Sequence, residues 1–234
     1  LQIRMQYKVS GVRTLNERAN SLLGKAAMGL EYLLFKTGPL TMPPSQLGAF
    51  AKSDPAQPTA NMEWHVQPLS LDKFGDPLHR FPAITPSVCN LRPASRGWVR
   101  VKAPDPMTYP EIRLNYLSAP EDRQVAVAGM RFTRRIMAAK ALAKYRPEEF
   151  RPGLAIQSEE DLARAAGELG TTIFHPVGTC AMGSVVDARL RVRGIERLRV
   201  IDASVMPRIT SGNTNAPTTV IAEKGARMVL EDAR

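Results

Sequence analysis

The sequence is poor in the residues from which many functional sites are built. Its 234 residues include only 2 cysteines and 3 histidines. Cys89 and Cys180 are far apart and belong to no CxxC or Cys/His cluster, so we expect free thiols and neither a disulfide framework nor a zinc site. Carboxylates do not cluster with the histidines either. The sequence therefore predicts no metal site.

Long apolar runs and long basic runs are also missing. No stretch approaches the roughly 18 uninterrupted apolar residues of a membrane-spanning helix, and the start, LQIRMQYKVSG, lacks the order of a signal peptide. The net charge of +10 raises the question of nucleic acid, but the basic residues are interleaved along predicted helix faces. We predict a cytoplasmic protein with no membrane span and no nucleic-acid partner. An oligomeric assembly is compatible with the sequence.

Phosphate-binding turns are a third absence. Neither GxGxxG nor GxxxxGK[ST] occurs, so the chain has no dinucleotide-binding turn of its own. A hydrolase would need a nucleophile, a base and an acid, and the candidates are Ser204 or Ser211, His175, and Asp187 or Asp202. The GxSxG elbow that positions such a serine is missing. Hydrolysis therefore ranks low among the alternatives.

The periodicity of what is present predicts both strands and helices. Apolar and polar residues alternate over 1–9, 62–66, 98–102 and 111–117, which is typical of half-buried strands, with loops over 38–60 and 68–87. Helices are predicted over 14–35, over 118–144, from Ser158 to Gly170, and at the end of the chain with Pro217 in the first turn. The buried stripe of the 118–144 helix is predicted to comprise Val125, Ala128, Phe132, Ile136 and Ala139.

Three segments near the end of the chain occur in a fixed order between residues 173 and 228. They are FHPVGTCAMG, VVDARLRVRGIERLRVIDASVMP and ITSGNTNAPTTVIAEKGARM. Together they resemble the C-terminal signature of the glucose-methanol-choline (GMC) flavoprotein oxidoreductases, nearest to the choline dehydrogenase and alcohol dehydrogenase branch. Weaker similarity extends to GLEYLLFKTGPL (29–40), LRPASRGWVRV (91–101) and NYLSAPED (115–122).

The resemblance implies an α+β fold in two parts. Residues 1–170 would be mostly a substrate-binding domain, built on a mixed, largely antiparallel sheet backed by helices. Residues 171–234 would be the C-terminal return segment of an FAD-binding α/β domain. The family's N-terminal FAD fingerprint is absent, and the chain begins without methionine in a strand-like pattern. We interpret the chain as a C-terminal portion whose partner is the missing N-terminal FAD segment.

The resemblance also assigns roles to individual residues. His175 matches the family's active-site histidine, and Asn215 matches its partner. The positions implied to bind FAD are Asp202, Ala203, Asn213, Thr214, Ala216, Pro217 and Thr218. Two local alternatives remain open, since Asn215 also suits a helix N-cap and Asp202 also suits a turn after a strand.

The implied activity is oxidation of an alcohol, choline-like or another primary alcohol, to an aldehyde by hydride transfer to flavin. The leading alternative is a non-catalytic binding or assembly module that retains the substrate domain. Nucleic-acid binding driven by charge ranks second and hydrolysis third. His65 and His79 are expected to be surface groups with no role in the reaction.

Overall fold

The computed structural model describes residues 1–43 and 45–233. Pro44, which lies in the predicted 38–60 loop, and Arg234, at the end of the predicted FAD segment, lie outside the described residues. The strands are β1 (Gln2–Arg4), β2 (Gln6–Lys8), β3 (Leu47–Ala51), β4 (Met62–Gln67), β5 (Ala83–Asn90), β6 (Trp98–Arg100), β7 (Glu111–Arg113), β8 (Glu148–Arg151) and β9 (Gly170–Thr171). The α-helices are α1 (Leu15–Asn20), α2 (Leu22–Phe35), α3 (Pro120–Met137), α4 (Glu159–Leu169) and α5 (Asn215–Asp232).

The chain divides into two compact units. Unit 1 comprises Leu1–Asn90 and Pro120–Thr171, and unit 2 comprises Leu91–Ala119 and Thr172–Arg234. Residues 91–119 thus belong with the C-terminal part of the chain, although they precede the predicted boundary at 170. None of the helices in the described part of the chain is long and apolar enough to cross a membrane.

A seven-stranded sheet forms the centre of unit 1. Its order is β3-β4-β5-β1-β9, with β2 pairing to both β5 and β8. Each pair of named strands in the described chain is antiparallel. The prediction of an α+β fold with a largely antiparallel sheet is confirmed.

One face of this sheet is apolar and packs under α3. Ile3, Met62, Trp64 and Val88 are buried on it. The Trp64 indole Nε1 donates to Thr133 Oγ1 on α3 at 2.8 Å. A Cβ on Gly129 of α3 would come within 3.0 Å of a Val88 methyl, so the glycine lets the helix approach the sheet closely.

The predicted helix over 14–35 is two helices. Ser21 adopts an extended conformation (φ −105°, ψ 133°), which ends α1, and its side chain accepts from the Gly24 amide to cap α2. A Cβ on Gly24 would lie 2.2 Å from the carbonyl oxygen of Arg18. The break is therefore local, because α2 turns back against the last turn of α1 at a glycine.

Helix α3 is shorter than predicted, and its buried stripe differs. The helix ends at Met137, and a 3₁₀ segment, Lys140–Tyr145, follows. The predicted stripe of Val125, Ala128, Phe132 and Ile136 is half-buried and Ala139 is exposed. The buried residues of the helix are Asp122, Ala126, Val127, Gly129, Met130, Thr133 and Met137. Helical periodicity allows both faces, and the small residues Gly129 and Thr133 let the second one contact the sheet.

Three further expectations are wrong in unit 1, and one of them is the loop over 68–87, because its last residues belong to strand β5 (Ala83–Asn90). The predicted 38–60 loop contains strand β3, which was missed because it is an edge strand with mostly exposed side chains and no alternation. His65 and His79 are half-buried rather than surface groups. His79 stacks on Phe81 with its Nδ1 2.9 Å from Ser70 Oγ. By contrast, the predicted start of α4 is confirmed, because Ser158 Oγ accepts from the Asp161 amide at 3.1 Å.

Candidate active site

His175 stands at a constrained turn in unit 2. The preceding residue, Phe174, has a φ of 62°, a left-handed conformation that is unusual for a bulky side chain. The Phe174 amide donates to Thr172 Oγ1 at 2.9 Å, and Pro176 restricts His175 to extended conformations. The backbone of the half-buried His175 is thus determined from both sides.

The segment that follows His175 is tied to a 3₁₀ segment, Ala203–Val205. The Cys180 amide donates to the Ser204 carbonyl at 3.0 Å, and the Met182 amide donates to the Val205 carbonyl at 2.9 Å. Gly178 has a φ of 93°, and a Cβ there would lie 3.4 Å from the Met206 carbonyl oxygen. These bonds bring the His175 segment next to the predicted cofactor positions Asp202 and Ala203.

Asp202 caps this 3₁₀ segment. Its Oδ1 accepts from the Ser204 amide at 2.8 Å and also from the Ser204 hydroxyl. The local turn role that the sequence left open is therefore present in the structure. A main-chain role of Asp202 and Ala203 toward a cofactor stays a prediction.

A small apolar core links the same 3₁₀ segment to α5. Val205 is buried with Val186 and Leu190, and Ile221 and Met228 of α5 pack against this cluster. A Cβ on Gly225 of α5 would lie 2.5 Å from Ile201 Cγ2, which shows how closely the helix approaches. The segment that follows His175 and the helix that begins at Asn215 therefore both contact Ala203–Val205 or its neighbours.

Asn215 is the first residue of α5, and the N-cap is Thr214. The alternative that Asn215 caps the helix is therefore wrong. Thr214 is buried, and its carbonyl accepts from the Thr218 amide at 3.0 Å and from Thr218 Oγ1 at 2.7 Å. Pro217 is the third helical residue, so it lies in the first turn as predicted.

The start of α5 presents hydrogen-bond donors outward. The Asn215 and Ala216 amides precede the first intrahelical bond, and the Thr214 side chain makes no capping bond to the helix. Asn213, Asn215 and Ala216 are exposed. Aligned peptide dipoles add partial positive charge at this end. Anions or electron-rich groups are the ligands that such an end favours.

Arg92 helps to hold the segment before α5 in place, a role that the sequence did not predict. Its Nε and Nη2 donate to Ser211 Oγ at 3.3 and 3.1 Å, which ties residues 91–119 to the segment that leads into α5. These contacts are consistent with the membership of 91–119 in unit 2. Arg92 lies in the LRPASRGWVRV similarity, which was the available signal.

Ion pairs hold the opposite end of α5. Arg189 pairs with Glu231 and Asp232, and Arg199 also pairs with Asp232. The hydrogen bond from Arg189, with a further contribution from Arg199, lowers the pKa of Asp232. Acidic residues at a helix C-terminus oppose its dipole, and the two arginines offset that repulsion.

Among the described residues, one cluster of three side chains could in principle hold a metal ion. Glu63, His65 and Cys89 in unit 1 have potential ligand atoms within 4.8 Å of one another. Burial raises the pKa of the Cys89 thiol to about 12. Metals bind the deprotonated thiolate, which a raised thiol pKa disfavours. These three residues therefore do not support a metal site.

Comparison with known proteins identifies relatives along almost the whole chain. A sequence model of the GMC oxidoreductase family matches residues 93–222. The chain is 39% identical to an alcohol dehydrogenase [acceptor] of Pseudomonas putida, over 91% of this chain and 39% of the relative. It is 40% identical to an oxygen-dependent choline dehydrogenase of Pseudomonas syringae, over 85% of this chain and 36% of the relative. The mitochondrial choline dehydrogenase of Mus musculus is 34% identical, with coverages of 98% and 39%.

Solved structures are similar as well. A formate oxidase of Aspergillus oryzae superposes with a TM-score of 0.87 at 22% identity, over 99% of this chain and 46% of that chain, and shows the fold. A pyridoxine 4-oxidase from Mesorbium loti has a TM-score of 0.71 at 30% identity, with coverages of 79% and 37%. The chain therefore spans under half the length of these relatives and neighbours.

Proposed function

Because the chain belongs to the GMC oxidoreductase family, we propose that it is the C-terminal portion of an FAD-dependent enzyme that oxidises an alcohol to an aldehyde. The observation that carries the proposal is the 39–40% identity to an alcohol dehydrogenase and a choline dehydrogenase over 85–91% of the chain. Choline-like and other primary alcohols are the proposed substrates.

The start of α5 fits the electron-rich edge of a flavin ring. The outward amides of Asn215 and Ala216, together with the helix dipole, would stabilise negative charge there. Bound FAD would supply the hydride acceptor. Asn213, Thr214, Pro217 and Thr218 would shape this end of the helix, while the turn at Asp202 and Ala203 would position main-chain groups toward the cofactor.

We assign His175 and Asn215 to the substrate hydroxyl. An imidazole pKa of about 6.5 and a hydroxyl pKa of about 15.7 differ by about 9 units, or on the order of 12 kcal/mol, so histidine alone cannot cheaply remove the proton. Hydrogen-bond donors placed at the oxygen reduce this cost. His175 would accept or hold the proton while the Asn215 carboxamide orients the hydroxyl.

The test uses the intact protein that contains this chain. His175→Ala and Asn215→Ala should each slow flavin reduction by alcohol about 100-fold, the scale of a lost acid-base or donor group, while FAD stays bound. Stopped-flow flavin absorbance measures the rate. Glu223→Gln, an exposed change on the same helix, serves as the control and should react at the wild-type rate.

Two outcomes would count against the proposal. A wild-type rate in either variant withdraws that residue from the reaction. Purified intact protein without flavin absorption would favour the non-catalytic binding module. The cytoplasmic location and the lack of a nucleic-acid partner stay predictions, and a salt-dependent shift of random duplex DNA would contradict the second.

A further inference from the structure

The face of the unit 1 sheet opposite α3 is polar and buried. Strand register places three rows of side chains on it, one residue from each of three adjacent strands. We call these nine residues the polar layer. Its rows are Gln2, Cys89 and Glu63; Arg4, Ser87 and His65; and Gln6, Thr85 and Gln67, where Gln6 continues the register of β1.

Several atoms of the polar layer lack hydrogen-bond partners among the described residues. They are Arg4 Nε and Nη2, Ser87 Oγ, Gln6 Oε1 and Gln67 Oε1. Arg4 is 4% exposed and Ser87 is 1% exposed. Buried polar groups without partners are costly, and buried charges are nearly always paired. So many unpaired groups on one face indicate that a polar ligand belongs there.

Arg4 is the strongest of these observations. The face of its guanidinium lies over the Phe74 ring at 4.5 Å, which leaves the edge formed by Nε and Nη2 unpaired. That edge is a fork matched to two oxygens of a carboxylate. No ion pair of Arg4 with a carboxylate occurs in residues 1–43 and 45–233.

Arg134 in the same unit shows what this edge does when it is paired. Its Nε and Nη2 each donate at 2.8 Å to the two carboxylate oxygens of the buried Glu149. The same two nitrogens of Arg4, a member of the polar layer, have no carboxylate partner in the described residues. From this contrast, we propose that the polar layer binds a small monocarboxylate, held by the Arg4 fork and by the hydroxyl of the adjacent Ser87.

The charge of the layer favours a monoanion. The carboxylate of Glu63 is paired with His65, whose Nε2 lies 3.4 Å away, and so it does not neutralise Arg4. One ligand carboxylate balances the single guanidinium, whereas phosphate, with a charge near −2, would leave excess negative charge close to Glu63. Gln67 and Gln6 supply neutral amides for the remainder of a polar ligand.

Binding of acetate to the intact protein that contains this chain tests the proposal. Acetate should raise the melting temperature and bind in calorimetry, while its neutral analogue acetamide and chloride at equal ionic strength should not. Arg4→Lys retains the charge but lacks the fork, and should weaken acetate binding at least about 10-fold. Ser87→Ala should weaken it several-fold, and the exposed Arg131→Lys on α3 should leave it unchanged.

The outcomes separate the ligand from its alternatives. Equal responses to acetate and acetamide would mean that ordered water satisfies the layer, and would overturn the proposal. So would equal acetate binding in wild type and Arg4→Lys, or a response to inorganic phosphate alone. If Arg4→Lys does not fold, unchanged acetate binding in Ser87→Ala decides against the proposed pose. The assay measures binding without turnover, so its result is independent of the proposed oxidation.

Discussion

At the scale of single residues, the ionisation of Tyr7 links the stability of unit 1 to pH. Its hydroxyl donates to Glu149 Oε2 at 3.1 Å, and Glu149 also pairs with Arg134. Burial, followed by the charge of Glu149, raises the pKa of Tyr7 well above its usual value. A raised folded pKa stabilises the fold below the unfolded pKa of about 10 and loses that contribution as pH rises further.

We therefore expect the free energy of unfolding to fall as the pH rises above about 10, and Tyr7→Phe to reduce this fall. Urea unfolding across the pH range measures it. The control is Tyr109→Phe, since Tyr109 is 88% exposed and its removal should leave the pH dependence unchanged. An identical alkaline slope in Tyr7→Phe would contradict the role assigned to this hydroxyl. The buried Cys89 thiol also has a raised pKa, so it contributes to the fall in stability that remains in Tyr7→Phe.

At the scale of elements, one glycine decides how closely helix α5 packs against its neighbours. Gly225 of α5 faces Ile201 and Leu190, where a Cβ would lie 2.5 and 3.2 Å from their side chains. Gly29 of α2 has open space at the same position. Alanine in place of glycine favours a helix by about 1 kcal/mol. A loss of stability after this substitution must therefore come from packing.

Gly225→Ala should therefore destabilise the protein by about 1–2 kcal/mol, because overpacking outweighs the gain in propensity. Gly29→Ala should stabilise it by about 0.5–1 kcal/mol. Calorimetric melting of both variants gives the comparison. If Gly225→Ala were as stable as Gly29→Ala, the close contact between α5 and Ile201 would be disproved.

At the scale of the whole molecule, helix α2 carries an unusual amount of exposed apolar surface. Leu22, Leu23, Leu33, Leu34 and Phe35 are each more than 60% exposed. A helix that is apolar on all sides is normally buried, and contiguous exposed apolar patches promote association. The chain spans 36–39% of the length of its curated relatives.

We expect the isolated 234-residue chain to self-associate through α2. Replacing Leu23, Leu33 and Phe35 together by glutamine should shift sedimentation toward the monomer and reduce binding of a hydrophobic dye. Val101→Gln removes a comparably exposed side chain outside α2 and should change neither measurement. Unaltered association in the triple variant would show that another surface is responsible.

Features that depend on a few neighbouring residues followed from the sequence alone. The Ser158 start of α4, Pro217 in the first turn of α5 and the strand pattern at the beginning of the chain are local, because capping bonds and side-chain periodicity lie within one turn or one strand. The ordered segments between residues 173 and 228 likewise identified the family and the candidate pair His175 and Asn215.

Only the tertiary structure decided which faces meet. The buried stripe of α3, the pairing of edge strand β3 and the membership of residues 91–119 in unit 2 depend on partners far away in sequence, such as Ser211 for Arg92. The alternation that put Arg4 and His65 on the polar side of their strands was visible in the sequence, but its burial was not. Burial is decided by what covers a surface, and no local pattern encodes that.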